Sequence, residues 1–430
     1  MKNVKVGIVG LGVVGTGTLQ ILLNERNSIH EKTNVWIDVK KACDINIDRN
    51  FGFAFDKGIL TTDYNDIIND PEISVVVELI GGYTIAKDII MKAIKAKKNV
   101  VTANKALIAK FSKEIFSAAK ENGVKVFYEA SVGGGIPILT PLQESLVANN
   151  IMQIKGIING TANYILSQMT QNGSDFDETL KKAMELGYAE ADPTFDIEGI
   201  DTAHKITILA SLAFGGYIDF DKVHILGITK ITKEDIKFAQ EFGYNIKLLA
   251  TADKNENGVE VRVQPTLIEK SEILASVNDV FNAIEVVGDY VGKTLFYGRG
   301  AGMTPTGSAV VADIVKLAAE DSKYKGEYHY NIENELKLRN VDDSVSKYYI
   351  RLTVKDEVGM LAFITEKFSK NGVSIESMLQ LPKADKGTKN VSLIFITHDT
   401  AEKNLKKAVA EIGENSDVAL DNSICLKIDK

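Results

Sequence analysis

The chain reads as an α/β protein in three parts: a doubly wound parallel sheet, an α+β middle region and a small C-terminal βαββαβ module. Three observations predict this. Strand-like and helix-like segments alternate with short connections over roughly residues 1–130. The run Gly133-Gly134-Gly135-Ile136-Pro137 then breaks that rhythm. From about residue 347 the pattern is strand, helix, strand, strand, helix, strand, a ferredoxin-like order. A chain of 430 residues is too long for one ordinary domain. Its 45% hydrophobic and 25% charged residues can bury real cores.

The first part opens with a buried strand, Val4–Val9, and a helix over about 13–23. Between them stands Gly10-Leu11-Gly12-Val13-Val14-Gly15, a G-x-G-x-x-G turn. Its first glycine permits the turn, the second admits a pyrophosphate and the third lets helix pack on strand. The helix N-terminus adds N–H groups and a positive dipole end. That setting predicts a Rossmann-type dinucleotide-binding domain; a glycine turn without a ligand is the alternative. Further strands are expected at 36–43, ending at Asp44, and at Ser74–Leu79, Asn99–Thr102 and Lys125–Tyr128. Helices fall between at 84–97 and 111–122. Asp44 lies farther from Gly15 than the usual spacing of about 20 residues, and the excess is read as a loop over 24–35.

The middle part, 131–320, is expected to be an α+β catalytic domain with helices at 137–147, 161–172, 175–186 and 201–214. Strands are expected near 246–253 and 259–265. The glycine-rich Gly298–Gly302 precedes an apolar helix through Ala309–Ala319, so 300–320 is expected to return to the first domain. The charged segment 321–346 reads as a linker with some helix. Residues 347–430 form the last module, with strands at Tyr348–Val354, Val373–Leu381, Asn390–Thr397 and Val418–Ile428. Its helices are Met360–Asn371 and Ala401–Ile412.

Composition excludes several function classes. Acidic residues outnumber basic ones, 58 to 50, for a net charge of −8, which disfavours nucleic acid. The two cysteines, Cys43 and Cys425, imply no disulfide framework and fit a reducing, cytoplasmic setting. No apolar run approaches the roughly 18 to 20 residues of a membrane helix. The glycines within the N-terminal apolar stretch argue against a secretory signal. Five scattered histidines show no metal-ligand spacing, and His204 is read as structural.

Two lysines stand out. Lys205 opens an apolar helix after a carboxylate-rich run from Glu190 to Asp201, and Asp201 lies one turn before it on the same face. On pattern alone a surface ion pair is the plainer reading, since charge-rich helix starts are common, and a proton-transferring lysine oriented by carboxylates is the sharper one. Lys105 sits at the C-terminal end of a predicted strand, the edge where open α/β sheets bind ligands. A solvated loop lysine is the plainer reading there. Asn159-Gly160-Thr161 and Gly298–Gly302 both precede helices and offer either cleft contacts or turn chemistry.

Taken together these motifs resemble homoserine dehydrogenase carrying a C-terminal ACT domain. The resemblance spans nearly the whole chain, through Gly10–Gly15, Glu78–Gly82, Val101–Ala106, Tyr128–Pro137, Asn159–Thr161, 187–205 and 298–313. It implies reversible, NAD- or NADP-dependent interconversion of L-homoserine and L-aspartate 4-semialdehyde. Lys205 then matches the proton donor, and Glu190 and Asp201 match substrate-binding carboxylates. Gly10, Leu11, Gly12, Val13, Val14, Gly15, Asp44, Lys105, Gly187 and Gly302 match the cofactor site. Backbone oxygens of Glu129, Val132, Gly134 and Ile136 match a sodium site. The resemblance also implies a cytoplasmic homo-oligomer, dimer or tetramer, with L-threonine as effector.

Two departures from the family pattern matter. Cys43 stands where many members carry an arginine that holds the 2′-phosphate of NADP, which favours NAD; the alternative is that Lys40, Lys41 or Arg49 binds that phosphate instead. Val358 stands where related modules have proline. Truncation after about 340 is expected to spare activity and abolish the threonine response. A non-catalytic dinucleotide and amino-acid sensor is the rival, disfavoured by the Lys205–Asp201–Glu190 set. A related amino-acid dehydrogenase is a second rival. An acylating semialdehyde dehydrogenase would need a cleft cysteine, which neither Cys43 nor Cys425 suits.

Overall fold

The computed structural model describes residues 2–319, 330–380 and 390–429. The first part contains β1 (Lys2–Val9), α1 (Val13–Asn24), α2 (Arg26–Thr33), β2 (Val35–Cys43), β3 (Leu60–Thr61), α3 (Asn65–Ile68) and β4 (Val75–Glu78). It continues with α4 (Thr84–Lys95), β5 (Asn99–Thr102), α5 (Lys105–Asn122) and β6 (Val126–Phe127). All six strands are parallel, in the order β3-β2-β1-β4-β5-β6. The chain fills one side of β1 and then crosses to β4, so a crevice opens at the C-terminal ends of β1 and β4. β4 reads Val75-Val76-Val77-Glu78 and all four residues are buried, as a strand covered by helices on both faces must be.

The loop expected over 24–35 is instead the helix α2. It buries no residue, so no apolar period could announce it. Edge contacts hold it: the Arg26 guanidinium lies 4.3 Å over Trp36 and 2.9 Å from Asp38. Left-handed Asn34 ends it. α5 likewise starts at Lys105 rather than 111, because the Asn104 side chain accepts from the Leu107 N–H and caps it.

The middle part contributes β7 (Ile151–Ile157), α6 (Gly160–Asn172), α7 (Phe176–Glu185), α8 (Thr194–Ile197), α9 (Ile200–Phe214), β8 (Gly216–Tyr217) and β9 (His224–Ile225). Then follow α10 (Lys233–Glu241), β10 (Tyr244–Asn255), β11 (Gly258–Glu269), β12 (Phe281–Gly288), β13 (Gly292–Arg299) and α11 (Met303–Ala319). Before them, the helix expected over 137–147 is a short helical turn, π-wound at Pro141–Ser145. An antiparallel sheet runs β13-β12-β7-β10-β11. Of its five strands, β7, β12 and β13 carried no clear alternation in the sequence. α9 is buried continuously from Asp201 to Ser211.

α11 packs against α1 in the first part, with Val310 and Ile314 joining the cluster of Val6, Ile8 and Leu19. Two glycines permit the approach. A Cβ on Gly17 would stand 2.3 Å from the Met303 carbonyl oxygen, and one on Gly307 would stand 2.9 Å from the Thr18 nitrogen.

The described remainder contains β14 (Asn331–Glu335), β15 (Val345–Ser346), β16 (Tyr348–Lys355), α12 (Met360–Lys370), β17 (Ile375–Gln380) and β18 (Asn390–Thr397). β19 (Thr400–Ala401), α13 (Glu402–Gly413) and β20 (Val418–Ile428) complete it. In place of the expected helix, the described part of 321–346 holds β14, β15 and one 3-10 turn at Val341–Asp343. Hydrogen bonding of β14 to β8 holds that stretch extended. Residues 321–329, and Leu381 of the expected strand 373–381, lie outside the described residues.

The last module orders its strands β20-β16-β18-β17. It is not a detached unit. β20 pairs in parallel with β11, Thr266 with Lys427 and Leu267 with Ile428, so the two sheets are continuous. Among the described residues no helix is long and apolar enough to cross a membrane.

Candidate active site

The site begins at the glycine turn. Gly10 has φ +95°, and a Cβ on Gly15 would stand 1.9 Å from the Gly10 carbonyl oxygen. Those two glycines are needed by the fold itself. Gly12 is different: a Cβ there would meet nothing within 4 Å, and no side chain caps α1. The open space before an uncapped helix N-terminus fits a pyrophosphate. Leu11 is buried, Val13 is exposed, and Val14 packs on the first core.

Asp44 closes the adjacent side. Its Oδ2 accepts from the Leu11 N–H at 2.7 Å and its Oδ1 from the Asn46 N–H at 2.9 Å. The nearby cations point elsewhere or are engaged. Lys40 pairs with Asp70 at 2.8 Å and with Glu72, and Lys41 donates to the Asp66 carbonyl oxygen. Arg49 donates to Thr16 Oγ1 at 2.9 Å, at the start of α1. Cys43 is buried in the core, where burial pushes its thiol up to about 11.

One strand over, buried Glu78 ties the loops after β4 and β5 together. Its carboxylate accepts from Thr102 Oγ1 at 2.6 Å and from the Ile80 and Gly81 N–H groups. Burial holds its carboxyl above the usual range despite those bonds. Asn104 donates to the Gly82 carbonyl oxygen at 2.7 Å, fixing the turn that carries Lys105.

Lys105 and Lys205 meet at one carboxylate. Asp201 Oδ1 lies 3.0 Å from Lys105 Nζ, and its Oδ2 lies 2.7 Å from Lys205 Nζ. Lys205 Nζ also donates to the Ile158 carbonyl oxygen at 2.7 Å. Asn159 Nδ2 donates to Asp201 Oδ2 at 2.8 Å and to Asp196 Oδ1 at 2.7 Å. The two lysines hold the Asp201 carboxyl far below the usual range against its burial. Asp201 in turn raises Lys105. Burial, and then the neighbouring Asp201 charge, push Asp196 up.

The surface-ion-pair reading of Asp201–Lys205 is therefore wrong, since both side chains are 10% exposed. Burial of a whole helical turn was not visible in a charge-rich helix start. Glu190 is exposed, and its charge contributes to raising Lys105, which puts it at the rim of this cluster. Gly187 (φ +73°) and Gly302 (φ +133°) stand exposed in loops.

The carboxylate of Glu129 accepts from the Ile138, Leu139 and Thr140 N–H groups, while Gly133 and Gly134 turn the loop at positive φ. Among the described residues no three His, Cys, Asp or Glu side chains are arranged to hold a metal. Asp196, within the carboxylate-rich run, and Asn159 join the site although the sequence assigned neither a role in it. Asn159 was legible only as the residue before a helix, and its bridging amide depends on α8 folding back.

His204 is buried and stacks on Phe220 at 4.4 Å between ring centroids. Burial lowers its pKa to about 4. The neutral form is therefore favoured by folding, so stability present above the unfolded value of about 6.5 is lost as pH falls through that value towards 4. Urea unfolding at pH 7 and pH 5 should show that loss in the wild type, and His204→Gln should reduce it. An equal loss in both would contradict the assignment.

Comparison with known proteins decides what this cleft belongs to. Residues 10–129 match "Homoserine dehydrogenase, NAD binding domain", 137–315 match "Homoserine dehydrogenase", and 348–417 match "ACT domain". The homoserine dehydrogenase of Pseudomonas aeruginosa is 45% identical over 420 residues, covering 96% of each chain. The chain belongs to the homoserine dehydrogenase family.

The Bacillus subtilis homoserine dehydrogenase is 39% identical, again with 96% of each chain covered. The crystal structure of a homoserine dehydrogenase from Thiobacillus denitrificans superposes with a TM-score of 0.93 at 44% identity, covering 100% of this chain and 99% of that one. A hyperthermophilic archaeal homoserine dehydrogenase, solved in complex with NADPH, shares 25% identity at a TM-score of 0.61 over 73% of this chain and 97% of that one. This member of the homoserine dehydrogenase family is an NAD(P)-dependent oxidoreductase with a dinucleotide-binding domain, a catalytic domain and a C-terminal ACT domain.

Proposed function

We propose that Lys205 exchanges the proton of the substrate's 4-oxygen, in the interconversion of L-homoserine and L-aspartate 4-semialdehyde. One observation carries this reading. Asp201 holds Lys205 and Lys105 on its two oxygens at the C-terminal edge of the parallel sheet, two strands from the glycine turn. A nicotinamide cofactor, when bound, supplies the hydride chemistry at the substrate's C4. The chain's residues supply the rest. Lys205 sets positive charge where negative charge develops on oxygen. Glu190, at the rim, takes the substrate's ammonium, and Asp201 orients Lys205 while offering a second carboxylate. Gly187 and Gly302 line the cofactor from exposed loops. Glu190→Gln should raise KM for L-homoserine about tenfold or more, the scale of a lost charge-assisted contact, while leaving kcat within a few-fold. An unchanged KM would remove Glu190 from the substrate site.

NAD is proposed as the cofactor used at least as readily as NADP. Asp44 presents a carboxylate beside the glycine turn, which suits a free ribose 2′-hydroxyl and repels a phosphate. Asp44, rather than buried Cys43, is the residue that faces this choice. The kcat/KM ratio for the two cofactors tests it. A preference for NADP of about tenfold or more, about 1.4 kcal/mol, would mean that Arg49 holds the phosphate instead, and Arg49→Gln would then abolish the preference.

The proposed division of the chain is 1–130 with 300–320, 131–320, 321–346 and 347–430. The ACT domain supports L-threonine as effector, although the loop before α12 carries exposed Val358. A sodium ion on the backbone oxygens of Glu129, Val132, Gly134 and Ile136 belongs to the same reading. The Glu129 carboxylate is taken up by three N–H groups, which leaves carbonyl oxygens as the ligands for a hard cation. A homo-oligomer, dimer or tetramer, and a cytoplasmic setting suited to two free cysteines, complete it.

A further inference from the structure

A cavity of about 510 Å³ lies between the outer face of the middle sheet and the C-terminal module. That volume falls in the range of small-molecule sites. Across its floor run cross-strand neighbours Lys155 on β7, Thr251 on β10 and Arg262 on β11. Arg339, from the segment before the module, and Lys427 on β20 line it from the other side. The floor residues Lys155, Glu260 and Arg262 are buried, and buried polar groups of this kind need partners.

Its carboxylates are satisfied. Asp429 faces Lys155 at 2.8 Å and Glu260 faces Arg262 at 2.9 Å. Asp343 pairs with Lys403 at 2.9 Å, and Asp253 accepts from the Gln153 amide. Its donors are not. Thr251 is 9% exposed, and its buried hydroxyl has no hydrogen-bond partner. Arg339 donates through one terminal nitrogen to the Asp253 carbonyl oxygen at a long 3.5 Å, and its buried Nε has no partner. The carboxylate nearest Lys427 Nζ is Glu260, at 3.9 Å. The unspent hydrogen-bonding capacity is that of three donors, two of them cationic.

We propose that this cavity binds a small carboxylate-bearing molecule of amino-acid size, its carboxylate held by Thr251, Arg339 and Lys427. Such a ligand bridges β10 to the module, and its position gives it a route to the active site. Gly199, the cap of α9, is backed by Val263, the neighbour of Arg262 on β11. The site is distinct from the catalytic cleft; that its occupant regulates turnover rests on the effector reading above.

The test is calorimetric titration of the full chain with L-threonine, L-aspartate and L-threoninol, which lacks the carboxylate. One binding event per chain is expected for at least one of the two amino acids, with L-threoninol weaker by about tenfold or more. Thr251→Val and Arg339→Gln should each weaken that binding by a similar factor, with effector-free kcat within about twofold of wild type. Wild-type binding retained in both variants, or no binding of either amino acid, overturns the proposal. So does a change in sedimenting mass in the variants, which would put a second copy of the chain in the cavity. Threonine inhibition that survives both substitutions keeps the effector reading and removes the cavity. Carboxylate binding lost in both variants, without threonine inhibition of the wild type, keeps the cavity and removes threonine.

Discussion

Lys205→Met is expected to lower kcat by about 10²–10⁴-fold while the chain stays folded and still binds its cofactor. Methionine keeps much of the length and apolar body of a side chain that is 10% exposed, and removes only its charge and its donors. Asp201 does not become an isolated buried charge, because Lys105 at 3.0 Å and the Asn159 amide at 2.8 Å still face it. The glycine turn and Asp44 are formed by other elements and are untouched. Loss of turnover is thus separable from loss of fold. Lys105→Met should cost less, since that side chain is 38% exposed. Steady-state kinetics with thermal unfolding as control checks both, and more than about a tenth of wild-type kcat in Lys205→Met, against the factor expected, contradicts the role.

Asp235→Ala is expected to destabilise the protein by about 3–5 kcal/mol, the usual cost of removing one partner of a buried ion pair. Asp235 is completely buried at the start of α10, where its carboxylate closes the capping box with Thr232. The same carboxylate takes Arg351 of the C-terminal module on two nitrogens, at 2.7 and 3.0 Å, and the Tyr349 hydroxyl at 2.9 Å. Substitution therefore removes a helix cap and the carboxylate facing a buried guanidinium. Asp235→Leu combined with Arg351→Met should be markedly less damaging than Asp235→Ala, because no charge is then stranded. Urea unfolding of both variants tests this; a loss under about 1 kcal/mol in Asp235→Ala, well short of that cost, contradicts the account.

That contact also alters what truncation should do. The sequence suggested a module that could be removed near residue 340, because the charged segment before it reads as a linker. In the fold, β20 extends the middle sheet alongside β11, and Glu402 meets Arg262 of the middle sheet at 3.0 Å. Removing the module strips a strand from β11 and uncovers a charged sheet face. Unpaired strand edges of that kind invite aggregation.

The contrast shows what sequence carries. The parallel sheet was legible because runs such as Val75–Val77 are short and β-branched, which favours a buried strand over a helix, and because the glycine turn has a physical reason at each position. Lys205 and Asp201 were legible as neighbours one helical turn apart. Their burial was not, since it comes from α8, β7 and the 158–159 backbone closing over them. The cross-sheet pairing of β11 with β20 was equally hidden, because residues more than a hundred positions apart share no local pattern. α2 went unseen for the opposite reason: a helix polar on every face carries no period to read.

On the function proposed here, the cleft reads an amino-acid zwitterion through carboxylates and exchanges its 4-hydroxyl proton through Lys205. The most direct measurement compares L-homoserine with 4-hydroxybutyrate, which lacks the ammonium group, as substrates of the full chain with NAD and with NADP. Turnover of L-homoserine is expected, with kcat/KM for 4-hydroxybutyrate lower by about 100-fold or more, as happens when a site built for a charged group is left unpaired. No turnover of L-homoserine with either cofactor, or equal kcat/KM for the two substrates, would contradict it.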